Sequence, residues 1–195
     1  DKLDILVQVC DGLQYAHDRS PQVIHRDIKP ANVILLKDGT AKLVDFGIAR
    51  IAGSETAVTQ TGQLVGSLSY MSPEQINSLP IDARTDIFSA GVLAYELIAY
   101  TLPFKGNDPG STFVKILRED PEPLRNYVPD IPPDLEAAVY RALAKKAQDR
   151  YQTAEEFGFD LLSVQRKLKQ GMTAEYLQRA EAAMERGELE RAKQQ

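Results

Sequence analysis

The sequence is poor in the residues that indicate a disulfide-stabilised or a nucleic-acid-binding protein. It has no tryptophan and one cysteine, Cys10, so no disulfide can form within the chain. Lysine and arginine number 23 against 28 acidic residues, which gives a formal net charge of −5. Without a long basic run, this charge argues against nucleic acid and anionic membranes as main partners. We expect Cys10 to be a small buried residue in a reducing compartment rather than a reactive thiol.

Long hydrophobic runs are also missing. The longest, residues 87–99, contains Glu96 and is too short to span a bilayer, and we expect no signal peptide. We therefore expect a cytoplasmic chain with no membrane segment, although a full-length protein could be anchored outside it. The first residue is Asp1 rather than Met, so we expect a fragment. With 195 residues, 43% of them hydrophobic, the chain can form one sizeable core and a small appendage.

What the sequence does contain is a short hairpin between two polar segments. Apolar strands are expected at 33–36 and 41–44, joined by a turn at 37–40 that contains Asp-Gly, a strong hairpin signal. The segment His-Arg-Asp-Ile-Lys-Pro-Ala-Asn precedes the first strand at 25–32, and Asp-Phe-Gly follows the second at 45–47. Because a hairpin brings its two ends together, these polar segments should lie side by side.

The side chains expected to meet there suit phosphate chemistry. Asp27 and Asp45 supply carboxylates, Lys29 supplies an ammonium group and Asn32 supplies an amide. Carboxylate and amide oxygens are ligands that Mg²⁺ prefers. A free carboxylate can accept a proton from a hydroxyl group, and a cation can offset charge on a moving phosphoryl group. The structural alternative is a polar turn between two core strands.

These two segments resemble the H-R-D-x-K-x-x-N catalytic loop and the D-F-G motif of protein kinases. The resemblance implies that Asp27 accepts or orients the hydroxyl proton and that Lys29 stabilises the transferring phosphoryl group. It also implies that Asn32 and Asp45 bind Mg²⁺, with Mn²⁺ as an alternative ion, and that Lys29, Asn32 and Asp45 help to bind ATP. The expected cofactors are therefore ATP and Mg²⁺.

The other residues of the two motifs are expected to be structural. The resemblance implies that His25 packs beneath Phe46 rather than acting as a general base. Gly47 permits unusual backbone angles. Arg26 directly precedes Asp27, and in kinases with this arginine a phosphate on the activation loop often provides its partner charge.

Residues 48–71 have no periodicity and are rich in hydroxyl groups. A flexible loop is the simplest interpretation, but the kinase resemblance makes this segment an activation loop. The stretch Val-Thr-Gln-Thr at 58–61 is similar to the phosphorylated stretch of bacterial serine/threonine kinases. Thr59 and Thr61 are therefore the candidate phosphorylation sites.

Residues 66–74 resemble the kinase substrate-docking loop, G-T-x-x-Y-x-A-P-E. Ser67 stands where threonine is usual, but it keeps the hydroxyl that bridges the catalytic aspartate and lysine in the family, so we include it among the catalytic residues. Ser72 stands where alanine is usual. Glu74 is expected to form a structural ion pair with Arg150, which is costly to break from one side.

Helices are expected at 3–18, 82–100, 110–118, 132–145 and 153–168 from their apolar spacing and capping residues. Asp86, in the second of these, would hold the backbone of the catalytic loop by analogy with kinases. A favourable contact with its own helix dipole is the alternative. The same kind of contact is the preferred interpretation of His17.

The predicted fold is mainly α with a small β hairpin, similar to the large C-terminal lobe of a protein kinase with the small lobe absent. Residues 1–168 are expected to form this partial catalytic domain. Residues 169–195 are predicted to be a helical linker or the start of a tetratricopeptide-like repeat, with a turn near Gly187. A plain charged helix is at least as consistent with the composition of this segment.

The predicted function is a bacterial-type (Hanks-type) serine/threonine protein kinase that transfers the γ-phosphoryl group of ATP to protein hydroxyls. Lys29 followed by Pro30 is typical of the serine/threonine class. Expected partners are protein substrates, ATP and, for trans-autophosphorylation, a kinase homodimer. No glycine-rich loop or strand lysine precedes His25, so this segment alone is expected to be inactive. The alternatives are a pseudokinase or scaffold and a small-molecule phosphotransferase.

Overall fold

The computed structural model describes residues 2–46 and 68–193. The first helix, α1, spans Lys2–His17, one residue earlier at each end than predicted. Its apolar side chains recur at helical spacing and one face is buried, as the pattern indicates. The buried residues of α1 are Leu3, Leu6, Val9, Cys10, Leu13, Ala16 and His17.

The predicted hairpin is present as β1, Val33–Leu35, and β2, Ala41–Leu43, which pair antiparallel with Val33 opposite Leu43. In the turn, Asp38 accepts a hydrogen bond from the Thr40 N–H at 2.9 Å. Gly39 has a φ of 86°, a conformation that residues with a Cβ rarely adopt. Glycine at this position therefore lets the chain reverse in the short space between the strands.

Two helices follow the segment that the structure does not describe. The short helix α2 spans Pro73–Ile76 and begins at Ser72, which forms a capping box with Gln75. The helix α3 spans Ala83–Ala99, where 82–100 was predicted, and Asp82 caps its N-terminus. Most of its side chains are buried, because the sequence leaves no continuous polar face.

Three further helices complete the described part of the chain. The helix α4 spans Pro109–Arg118, α5 spans Pro133–Ala142 and α6 spans Ala154–Lys193. Short 3₁₀ turns occur at Pro30–Asn32, Leu124–Asn126 and Ala147–Asp149. The helix predicted at 132–145 ends at Ala142, and the carbonyl groups of residues 144 and 145 accept hydrogen bonds from Arg150 instead.

The core lies where α3 packs against α1 and α5, and α6 packs against the same two helices. Two glycines allow close crossings in this core. A Cβ at Gly91 of α3 would lie 2.9 Å from the Cβ of Ala142 in α5, and one at Gly158 of α6 would lie 3.0 Å from the Cβ of Cys10. Burial raises the pKa of the Cys10 thiol, which fits the predicted apolar role.

The helix α6 is longer than predicted. It neither ends near residue 168 nor turns at Gly187, but continues to Lys193. Residues 169–193 are rich in Ala, Glu, Arg, Gln and Lys, which are strong helix formers, and contain no proline. This part of the chain is therefore a continuous helix, while the domain division at residue 168 stays a prediction. None of the described helices is long and apolar enough to cross a bilayer.

The described residues thus form a mainly helical fold with a two-stranded hairpin, as predicted. The hairpin lies against α1, where Gln8 donates to the Gly39 carbonyl at 3.2 Å and accepts from the Ala41 N–H at 2.8 Å. These two contacts fix the hairpin on the helical body. They therefore also fix the polar segments at its two ends.

Candidate active site

The two ends of the hairpin meet as the sequence predicted. The Val44 N–H donates to the Asn32 carbonyl at 3.0 Å, directly next to the Val33–Leu43 pair at the open end of the hairpin. Asn32 closes the 3₁₀ turn before β1, and Asp45 directly follows Val44. Asp45 has a φ of 57° and an exposed side chain. The catalytic-loop segment and Asp45 are therefore adjacent.

Asp27, Lys29 and Asn32 form a compact polar cluster. The Lys29 Nζ lies 2.7 Å from the Asp27 Oδ2. The Asn32 Nδ2 donates to the same oxygen at 3.0 Å and to the Asp27 carbonyl at 2.7 Å. The Asp27 side chain is still 41% exposed. A hydroxyl group can therefore approach a carboxylate whose orientation is already fixed.

The donor set at this site fits Mg²⁺. Because the amide nitrogen of Asn32 donates to Asp27, its amide oxygen is the atom that can ligate a cation. The neighbouring Asp45 adds an exposed carboxylate. Mg²⁺ is usually bound by one or two such oxygen ligands together with phosphate and water. Asn32 and Asp45 are therefore the residues that would hold the ion.

Asp86 of α3 fixes the backbone in front of the cluster. Its Oδ2 accepts from the His25 N–H and its Oδ1 accepts from the Arg26 N–H, both at 2.7 Å. Arg26 has a φ of 66°, which is unfavourable for a residue with a Cβ. The carboxylate therefore holds the chain in a strained turn directly before Asp27.

His17 is a residue of this site that the sequence analysis missed. Its Nε2 lies 2.8 Å from the Asp86 Oδ2, and both side chains are buried. The sequence indicated only a contact with the dipole of its own helix. The partner is 69 positions away, and the contact depends on how α1 crosses α3, so no local pattern could have shown it.

The ring of His25 packs against Phe46, with the ring centroids 4.4 Å apart. Its Nε2 lies 2.9 Å from the Val44 carbonyl, and the residue is fully buried. A buried ring of this kind is not accessible to a substrate hydroxyl. The packing predicted for His25 and Phe46 is therefore present.

Glu74 and the buried Arg150 form a bidentate ion pair. The Arg150 Nη1 and Nη2 donate to the two Glu74 carboxylate oxygens at 2.8 and 2.9 Å, and Thr85 donates to one of them at 2.7 Å. Burial alone would raise the pKa of Glu74. The hydrogen bonds and charge of Arg150, with the hydrogen bond from Thr85, outweigh this effect of burial and hold the pKa below its usual range. The pair joins α2 to the segment before α6.

Four of the predicted site residues lie outside the described residues. These are Gly47, Ser67, Thr59 and Thr61. The roles proposed for them therefore stay predictions.

Comparison with known proteins agrees with this geometry. The protein kinase domain family matches residues 2–167. A probable serine/threonine-protein kinase PknB of Corynebacterium glutamicum is 42% identical over 163 residues, which are 81% of this chain and 25% of that protein. The serine/threonine-protein kinases PknB of Mycolicibacterium smegmatis and Mycobacterium tuberculosis are each 40% identical over 83% of this chain and 26% of their own length.

The chain therefore spans about a quarter of the length of these curated relatives. The family match covers most of its described residues and includes the whole hairpin with its flanking polar segments. This chain belongs to the protein kinase domain family.

Proposed function

We propose that this chain carries the phosphoacceptor side of a serine/threonine protein kinase, which transfers the γ-phosphoryl group of ATP to protein hydroxyls. The observation that supports this function most directly is the Asp27 carboxylate, oriented by Lys29 and Asn32 beside Asp45. The names of the relatives support the serine/threonine class.

In the proposed reaction, the substrate hydroxyl oxygen forms a bond to the γ-phosphorus while the bond to the bridging oxygen of ADP breaks. Asp27 accepts the hydroxyl proton, and its 41% exposed side chain leaves room for the hydroxyl to approach. Lys29 lies 2.7 Å from Asp27 and carries the positive charge that offsets charge on the transferring group. The remaining requirement is to keep these groups in position.

Asn32 has two tasks in this proposal. Its nitrogen fixes the Asp27 carboxylate through the bond to Oδ2, and its oxygen is available to the ion. With Asp45 it would hold Mg²⁺, or Mn²⁺ as an alternative, which when bound neutralises charge on the ATP phosphates. The proposal also includes activation by phosphorylation of Thr59 or Thr61 within a kinase homodimer, and a cytoplasmic location, where ATP is available.

The test is Asp27→Asn in the protein that carries this chain. Labelled ATP, Mg²⁺ and a general protein acceptor are supplied, and phosphopeptides are mapped by mass spectrometry. We expect the rate to fall by about a hundredfold to ten-thousandfold, because the amide cannot accept the proton. Nucleotide affinity should change little, because the substitution is nearly isosteric.

The matched control is Asp134→Asn, which alters an exposed carboxylate of α5 that pairs with Lys167 on the surface. It should leave the rate unchanged. Normal phosphorylation by the Asp27 variant would contradict the role of Asp27. No label from the unsubstituted protein would favour the scaffold alternative, and label on small molecules alone would favour the small-molecule phosphotransferase.

A further inference from the structure

The side chain of Gln75 contacts two segments that are distant in sequence. At the start of α2, Gln75 completes the capping box: its backbone N–H donates to the Ser72 Oγ at 3.3 Å, and its side-chain Oε1 accepts from the Ser72 N–H at 2.9 Å. These bonds fix the side-chain conformation. They leave the amide nitrogen of Gln75 to act outside the helix.

That nitrogen donates to the carbonyl oxygen of Arg26 at 2.9 Å, across 49 positions of sequence. The Arg26 carbonyl belongs to the same peptide unit as the Asp27 N–H. On the nitrogen side of this unit, the Asp27 N–H lies 3.4 Å from the His25 Nδ1, at the outer limit of a hydrogen bond. The bond from Gln75 is therefore the shorter of the two that orient this peptide.

The orientation of this peptide matters because Arg26 is strained, with a φ of 66°. Asp86 holds the N–H of Arg26 and Gln75 holds its carbonyl, so the two side chains fix the residue from opposite ends. If the carbonyl were released, the peptide could rotate and carry the Asp27 carboxylate with it. A displacement of about 1 Å can cost a hundredfold in rate at a reacting centre.

We infer that Gln75 is a positioning residue for Asp27, and that it acts by holding the Arg26 carbonyl through its side-chain amide. This inference rests on the proposed phosphotransfer function and adds to it a residue outside the kinase motifs described above. It also connects α2, which begins within the expected substrate-docking loop, to the loop that carries Asp27. The competing explanation is that Gln75 only caps α2.

Two substitutions separate these explanations. Gln75→Glu keeps an acceptor for the Ser72 N–H, since glutamate serves in capping boxes as well as glutamine does. It removes the donor and places a carboxylate oxygen against the Arg26 carbonyl. Gln75→Met removes both the side-chain acceptor for the Ser72 N–H and the donor, while the bond from the residue 75 N–H to the Ser72 Oγ stays. A residue that only caps would tolerate the first change and not the second.

The measurement is steady-state kinetics of phosphoryl transfer, with thermal unfolding, in the protein that carries this chain. We expect Gln75→Glu and Gln75→Met each to lower kcat by about tenfold to a hundredfold, with KM for ATP within about twofold. Only the methionine variant should lose the side-chain half of the capping box and unfold at a lower temperature. A glutamate variant whose kcat stays within about twofold of the unsubstituted protein would overturn the inference.

A third variant controls for a general loss of helix capping. Asp108→Ala removes the capping box at the start of α4, where Asp108 accepts from the Ser111 N–H at 2.9 Å. We expect it to lower the unfolding temperature without changing kcat. If Asp108→Ala lowers kcat as much as Gln75→Met does, the loss of kcat in Gln75→Met is attributed to lower stability. The kcat of Gln75→Glu then decides whether Gln75 positions Asp27.

A second test does not depend on activity and follows the backbone amide resonance of Asp27 in this chain by NMR spectroscopy. This amide shares a peptide unit with the Arg26 carbonyl, so its chemical shift should move in Gln75→Glu and stay in place in Asp108→Ala. An unmoved resonance overturns the inference even if the enzyme is inactive. Conversely, absence of Asp27-dependent phosphorylation in the unsubstituted protein contradicts the proposed function without affecting this second test.

Discussion

At the scale of single residues, Asp86 shows how a side chain outside the reacting cluster sets its geometry. Its two oxygens accept from the N–H groups of His25 and Arg26, and one of them also contacts His17. The left-handed conformation of Arg26 costs about 1–3 kcal/mol, so it persists only where such contacts require it. The backbone before Asp27 is therefore fixed by α3 and α1 rather than by its own sequence.

The ion pair of Glu74 and Arg150 gives a prediction at the same scale. We expect Glu74→Gln to lower the free energy of unfolding at neutral pH by about 3–5 kcal/mol, because Arg150 stays buried without a charged partner. Urea unfolding measures this change. The control is Asp134→Asn in the exposed pair with Lys167, where less than about 1 kcal/mol should be lost.

The pH dependence of this difference follows from the lowered pKa of Glu74. A carboxylate with a lowered folded pKa contributes stability that is fully present above its unfolded pKa, about 4.3. That contribution is lost as the pH falls through the lower folded pKa. The difference between the unsubstituted chain and Glu74→Gln should therefore shrink below about pH 4. A difference that stayed constant from neutral to acidic pH would mean that the charge of Glu74 is not what stabilises the chain.

The residues differ in how far the sequence alone could place them. Asp27, Lys29 and Asn32 lie within one short loop, and a two-residue turn signal was enough to bring Asp45 beside them. Gln75 of α2 contacts the same loop directly, and His17 of α1 contacts Asp86, which holds the backbone of that loop. Their contacts depend on how whole helices cross, and no spacing in the sequence encodes that.

At the scale of elements, α2 ends in a turn that its sequence does not favour. The Leu79 N–H donates to the Glu74 carbonyl at 2.9 Å and the Ser78 N–H lies 3.4 Å from the Gln75 carbonyl, the pattern of a Schellman motif. Such a turn normally places glycine in the left-handed position. Here Ser78 occupies it, with a φ of 52° and an exposed side chain.

We therefore expect Ser78→Gly to raise the free energy of unfolding by a few tenths to about 1 kcal/mol, because glycine has no Cβ to strain in this conformation. Denaturant unfolding measures the change. Asn77→Gly is the matched control. Asn77 has a φ of −85°, so there the added flexibility should cost about 0.5–1 kcal/mol. Equal losses at both positions would show that the conformation of Ser78 carries no strain.

The elements themselves were predictable to different degrees. The hairpin strands lie within one residue of the predicted ranges, because the Asp-Gly turn fixes their register. The end of α6 was not predicted, because the boundary at 168 followed the extent of the kinase resemblance rather than a local stop signal. Residues 169–193 have the propensity to continue the helix, and Gly171 and Gly187 alone do not end it.

At the scale of the whole molecule, two helix crossings of the core are so close that only small residues fit, α3 with α5 at Gly91 and α6 with α1 at Gly158. The order of helices and the hairpin could be predicted from periodicity, turn chemistry and the kinase resemblance. The crossing distances could not, because a glycine within a helical pattern does not show which neighbour approaches it. Gly91 lies within the helix predicted at 82–100, and it is where α3 meets α5.

This crossing gives the last prediction. At Gly91, an added Cβ would lie 2.9 Å from the Ala142 Cβ and 3.2 Å from the Leu143 Cδ2, closer than atoms pack. Gly91→Ala should therefore lower the free energy of unfolding by about 1–3 kcal/mol, although alanine favours a helix. Gly171→Ala, in α6 with no atom within 4 Å of the added Cβ, should raise it by about 0.5–1 kcal/mol.

Both substitutions make the same chemical change within a helix, so their intrinsic effect on helix formation is the same. Urea unfolding of the two variants therefore isolates the packing contribution at Gly91. Opposite signs would show that the close approach of α3 and α5 is set by this glycine. A gain of similar size at both positions would instead mean that α5 can move away from α3 at no cost, and that the core does not depend on their contact.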